Sequence, residues 1–277
     1  MARASVTKQT QVYIAKNFRL FMNQKDWKFI IIATVISFLV CSIVGDSMFS
    51  TYEETRAGFF AIISAAIWIG IFNSIQRICK ENDTITSEYR SGLHIRAYIM
   101  SHVIFDFFLC LIQSVIFMVI CVIFIDFPSD GIIFDSSLVE YFITLFLIVW
   151  CSDIMGIMVS SVVSTPNSAM TAMPFVLILQ LIMSGVLFQL SGWSEAVANI
   201  TFSKWGMSAF GSIGNLNDEN LPLKMSLIFP NVQRVEEEAV YAATSENLLK
   251  AWLFIVLIAC VCTCIAIISL KIRNRDS

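Results

Sequence analysis

With 277 residues, a formal net charge of −3, 57% hydrophobic side chains and only 14% charged ones, the chain lies outside ordinary soluble composition, where about a quarter of residues are charged. A mean hydropathy of +0.76 makes lipid the solvent for most of it. The small net charge decides nothing further, because membrane orientation follows where Lys and Arg lie rather than their sum.

In chain order, residues 9–24 put Ile14, Phe18 and Phe21 on one helical face and Lys16, Arg19 and Asn23 on the other, the pattern of a helix lying along a membrane surface. A signal peptide fits poorly: the stretch before Trp27 is long and polar, and no small-residue cleavage site follows the first apolar run. Residues 1–26 are therefore expected to be a cytoplasmic N-terminus with an amphipathic connecting helix.

Apolar runs follow at about 29–45, 57–75, 98–125, 139–163, 171–190 and 250–270, each near the ~20 residues a helix needs to cross hydrocarbon. Backbone amides in lipid must be satisfied within their own segment, and no run alternates like a barrel strand. The expected class is an all-α polytopic membrane protein with six transmembrane helices. Residues 27–190 would hold the first five, with a cytoplasmic loop at 76–97. Residues 191–249 would form a small outer region, and 250–277 the sixth helix and a cytoplasmic tail.

An even number of spans puts both termini on one side. Six basic residues precede the first span (Arg3, Lys8, Lys16, Arg19, Lys25, Lys28), four lie in the second loop (Arg77, Lys80, Arg90, Arg96) and three in the tail (Lys271, Arg273, Arg275). The positive-inside rule makes that side cytoplasmic. The opposite side agrees, with only Arg56 in the first loop and Asp126, Asp130 and Asp135 in the third.

The outer region is acidic at Glu236, Glu237 and Glu238 and carries a formal glycosylation sequon, Asn199-Ile200-Thr201. Pro174 is the one proline inside an expected span and could kink it. Seven of eight cysteines lie within apolar runs and Cys79 just after one, so a disulfide framework is not expected. Cys260, Cys262 and Cys264 suggest a soft-metal site only superficially, since on a helix Cys262 faces away from the other two.

No phosphate loop, zinc-protease or nucleophile-elbow motif occurs, and there are only two histidines. Gly211-Ser212-Ile213-Gly214 lacks the lysine of a phosphate loop. The chain is expected to be non-enzymatic and unable to hydrolyse ATP by itself.

Residues 76–106 contain Lys80-Glu81, then Glu88-Tyr89-Arg90, Gly92-Leu93 and Tyr98-Ile99-Met100-Ser101. This order of a charged helix, an acidic residue, a Gly-Leu turn and an aromatic-x-x-Ser entry resembles the segment between the second and third spans of ABC-2 type exporter permeases, closest to the G-subfamily-like group. The N-terminal helix, the six spans and the long loop holding Phe202-Ser203-Lys204-Trp205 are similar too. Ser87 stands where members often carry Arg, and the outer cysteines of animal members are absent, which points to a bacterial cell membrane. The resemblance implies the type V exporter fold and a second permease subunit, identical or homologous. It also implies separate ABC ATPase subunits that bind the ATP and Mg, with no cofactor in this chain and no nucleic acid. Lys80, Glu81, Glu88, Tyr89, Arg90 and Gly92 would couple the ATPase to the bundle; a solvated basic loop that only fixes topology is the bland alternative.

The same resemblance places a substrate cavity at the dimer midline, here lined by Phe60, Trp68, Phe72, Phe175, Leu179 and Met183 and suited to a drug, antimicrobial peptide or lipid. From the residues themselves, His102, Asp106 and Gln113 form one polar stripe, offset by about 40° and 20° around a helix. Asp153 sits mid-span, where an ionised carboxylate costs about 3 kcal/mol. It could bind substrate, relay protons, or hydrogen-bond a neighbour such as Gln180. The expected function is export by alternating access. Its rivals are a membrane-embedded lipid-modifying enzyme using Asp106, Asp153 and His102, and a non-transporting sensor or immunity protein.

Overall fold

The computed structural model describes residues 5–188, 190–218, 222–223 and 238–275; Arg3 and the acidic pair Glu236-Glu237 lie outside them. Among the described residues the regular structure is helical throughout. The long elements are α1 (Val6–Asn23), α2 (Lys28–Val44), α3 (Tyr52–Ser74), α6 (Ile95–Phe124), α7 (Ser137–Val162), α8 (Pro166–Ile182) and α11 (Ser245–Arg275), with the short α4 (Arg77–Lys80), α5 (Asn82–Arg90), α9 (Trp193–Ala198) and α10 (Phe202–Ile213) between them.

The ends of these helices follow local chemistry. Ser5, Thr51 and Thr165 accept the backbone N–H of Lys8, Glu54 and Ser168, and Pro166 opens α8 where its missing N–H costs nothing. α5 stops at a left-handed glycine: Gly92 has φ +105°, its N–H reaches the Tyr89 carbonyl, and the Leu93 N–H reaches Glu88. That pair of bonds is the Schellman stop, and it is the physical content of the Gly-Leu turn noted in the sequence.

Among the described residues, five helices are long and apolar enough to cross a membrane: Lys28–Ser47, Tyr52–Lys80, Ile95–Phe124, Ser137–Val162 and Ser245–Arg275. The remaining expected span differs. α8 begins at Pro166 rather than near 171, continues through Pro174 and ends at Ile182 rather than near 190. Its 17 residues cover only about 25 Å. The chain turns at Met183–Ser184 and passes Gly185 at φ +80°, a conformation that ends a helix even in an apolar run.

Hydrogen bonds define two ends of the bundle. At one end Gln9 of α1 donates to the Gly92 carbonyl, the Ile78 N–H donates to Ser160 of α7, and Thr86 donates to Asn274 of α11 at 2.9 Å. Both chain-terminal helices therefore reach the end that carries α4 and α5. At the opposite end Arg56 donates to the Gly185 carbonyl (2.8 Å) and Asn247 donates to Ser212 (2.8 Å).

α3 and α7 form the central seam. A Cβ on Gly70 would strike the Val149 carbonyl, and one on Gly156 would strike the Ser74 hydroxyl, so these glycines let the backbones touch. Ser152 then donates across to the Ile67 carbonyl and Ser74 to the Asp153 carbonyl, each at 2.6 Å. In apolar surroundings, where surface burial between helices gains little, small residues and hydroxyl bridges are what hold helices together.

α10, in the region expected to form a small cap, packs closely on the bundle. Every residue of Phe202–Ile213 except Lys204 is buried, and Phe210 packs on Phe59 of α3 and Tyr141 of α7. α1 also differs in detail: its packed edge is Tyr13, Asn17 and Phe21 against Tyr98, Ser101 and Phe105 of α6, while Phe18 is 59% exposed. The polar Asn17 could not be assigned to an apolar face from the pattern, but it bonds polar groups on α6.

Candidate functional site

α5 is braced from three sides. Glu88 accepts the Tyr13 hydroxyl (2.7 Å) and Lys16 (3.4 Å); Glu81 accepts the Tyr98 hydroxyl (3.0 Å) and lies 3.7 Å from the same lysine. Burial first, then Glu88 and Glu81, push the Tyr13 phenol well above its usual range, so it stays a donor throughout neutral pH. Glu81 and Glu88, expected to meet a partner, thus face inward and clamp α5 to α1 and α6. Tyr89 is half-buried against the core, and Gly92 makes the turn. What faces outward is Lys80, Asp83, Thr84, Ser87, Arg90 and Ser91, spaced along one helical side. Asp83, Thr84 and Ser87 were not singled out in the sequence, because the clamp on Glu81 and Glu88 that leaves them outermost needs α1 alongside.

The polar stripe of α6 meets a different element at each step. His102 Nδ1 lies 3.4 Å from the Asn17 amide of α1. Asp106 is ion-paired with Arg77 of α4, whose other guanidinium nitrogen donates to the Asn73 carbonyl at 3.0 Å. Gln113 exchanges two amide hydrogen bonds with Asn73 of α3, at 2.7 and 3.1 Å, and approaches the Phe29 carbonyl of α2. The stripe therefore sets the mutual register of α1, α2, α3, α4 and α6.

Asp153 of α7 is fully buried. Its neighbours are Asp106 and Arg77, not Gln180. Gln180 instead accepts the Ser203 N–H (3.2 Å), and its carbonyl accepts the Ser203 hydroxyl, tying α8 to α10. Both Asp153 oxygens and Asp106 Oδ2 are buried, and only Asp106 bonds the guanidinium. A second buried acid thus stands beside the Arg77–Asp106 pair. Arg77, read in the sequence as a loop residue that fixes orientation, folds back into the bundle. The available signal was Asn73-x-x-x-Arg77, a polar pair one helical turn apart at the close of an apolar run.

The expected cavity residues do not converge within the single chain. Trp68 stacks on Phe72 at 5.8 Å along α3, with Phe60 half-buried on the same helix. Phe175 and Leu179 of α8 are 72% and 46% exposed, whereas Met183, past the helix end, is buried. On α11, Cys262 is buried while Cys260 and Cys264 are exposed.

The profile of the ABC-2 type transporter family matches residues 8–213. This chain belongs to the ABC-2 type transporter family. No curated protein matches it. ABC-2 chains are the membrane-spanning permease component of ABC transporters, a component normally partnered by an ABC ATPase. The match runs from α1 through α10, so the braced α5, the Arg77 cluster and the buried α10 all belong to the ABC-2 region; α11, which supplies Asn274 to α5, follows it.

Proposed function

We propose that this permease is the membrane half of an exporter for a hydrophobic or amphipathic compound, working by alternating access with a separate ATPase. The carrying observation is the outward face of Asp83, Thr84, Ser87, Arg90 and Ser91 on and just after a helix tied to α1, α6 and α11. A helix held this way transmits a push as a rigid-body motion rather than absorbing it. In this reading α8 with residues 183–188 completes a sixth crossing. The end bearing α4 and α5, where the basic residues gather, is cytoplasmic. A second permease copy, identical or homologous, covers the exposed aromatic sides of α3 and α8, and the cargo passes between Phe60, Trp68, Phe72, Phe175 and Leu179.

Co-purification tests the reading. The tagged chain should bring down a nucleotide-hydrolysing subunit, and Asp83→Lys on the outward face should weaken that association several-fold while leaving the melting temperature of the permease unchanged. Recovery of the intact permease with no ATPase would sink the proposal.

A further inference from the structure

A cavity of about 350 Å³ opens between the C-terminal half of α1, the start of α2, the α3–α4 junction and the start of α6. Three candidate spans begin or end at this level, so it sits where hydrocarbon gives way to water. One part of its wall is aromatic, from Phe21, Phe29, Phe72 and Phe105; the other carries Asp26, Arg77, Lys80, Glu81 and His102.

His102 supplies the decisive chemistry. The Ser101 hydroxyl donates to the Tyr98 carbonyl at 2.6 Å, so toward Asn17 it can only accept, which makes the Asn17 group near it the NH₂. The same NH₂ lies 3.4 Å from His102 Nδ1, which must accept; the neutral ring then carries its proton on Nε2. Nε2 is buried with no acceptor, on a residue only 1% exposed that lines the cavity. Leaving a buried donor unpaired costs about 1–3 kcal/mol, a penalty that an acceptor in the cavity would remove.

The charges say what kind of acceptor. Arg77 is already paired with Asp106, and Glu81 with Lys16 and Tyr98, which leaves Lys80 and Asp26 as the opposite charges on the wall. A net anion would meet the Asp26 carboxylate, whereas a head bearing both a phosphate and a primary ammonium would meet complementary charge on each side. A quaternary ammonium has no N–H for Asp26 to accept. We infer that this cavity binds the zwitterionic phosphoethanolamine head of a phospholipid, with its phosphate on His102 and Lys80, its ammonium on Asp26, and its acyl chains leaving along the phenylalanine wall. The site shares only Phe72 with the midline path proposed for cargo, and lipid binding to it can be measured without transport.

The test is native mass spectrometry of the full-length chain, with whatever subunits accompany it. Chain-matched phosphatidylethanolamine, phosphatidylcholine and phosphatidylglycerol are compared with soluble phosphoethanolamine. Phosphatidylethanolamine should bind about tenfold more tightly than the other two lipids, equivalent to about 1.4 kcal/mol. His102→Phe should weaken all three lipids several-fold, because each carries the phosphate, and Asp26→Asn should remove the discrimination against phosphatidylcholine. Because His102→Phe also disturbs the Asn17 contact, the Asp26→Asn result stands as the independent check. Equal binding of all three lipids by the unmodified chain overturns the inference, and so does soluble phosphoethanolamine binding as tightly as the lipid, which would assign the cavity to a water-soluble ligand.

Discussion

Replacing Arg77 with leucine would strand the Asp106 carboxylate, which has no exposed surface, beside a second acid, Asp153. Removing one member of a buried pair costs about 3–5 kcal/mol, because the remaining charge has neither water nor counter-charge. Arg77→Leu should therefore lower the melting temperature sharply, and Arg77→Leu with Asp106→Leu should recover most of the loss, measured in one detergent. Tyr13 gives a pH signature. Its folded-state pKa is raised by burial and by Glu88 and Glu81, so its contribution to stability is complete below the free phenol's value of about 10 and is lost as pH climbs beyond that. Unfolding followed from neutral to alkaline pH should show a decline at the top of the range that Tyr13→Phe reduces; an unchanged decline would remove Tyr13 as its cause.

At the scale of elements, the brace on α5 depends on Gly92 as much as on its ion pairs. A side chain at φ +105° is strained by about 1–2 kcal/mol, and relief of that strain would undo the Schellman stop that aims α5 at α1. Gly92→Ala should lower stability by roughly that amount. It should also reduce permease stimulation of the ATPase more than it reduces binding, which a comparison of co-purified subunit with ATP turnover would resolve. The Gly-Leu turn was legible in the sequence because a glycine stop is a local property. The inward turn of Glu81 and Glu88 was not, because it requires Tyr13, Lys16 and Tyr98 from two other helices. The expected end of α8 near 190 failed for a related reason: hydropathy continues past Ile182, but the backbone turns at Met183 and Gly185.

At the scale of the whole molecule, the second permease copy proposed above would cover the exposed side of α8. Phe175 is 72% exposed and Leu179 46%, while Ala169, Met173, Leu177 and Gln180 on the same helix face inward. On that proposal, Phe175→Arg should shift the purified permease toward monomer without lowering its helix content. A dimer indifferent to this change would place the interface elsewhere.

The sequence by itself determined that this is a helical membrane protein, where its longest helices lie, and which residues of α6 share a polar stripe, because apolar length and the 3.6-residue period are properties of one segment at a time. Tertiary structure alone decided that Arg77 folds back onto Asp106, that Gln180 serves Ser203 rather than Asp153, and that α10 is buried although its twelve residues are too few to declare themselves a span. Each of those outcomes depends on which helices lie side by side. A buried charge or amide takes whichever partner the packing brings within about 3 Å, and that partner can be any distance away along the chain.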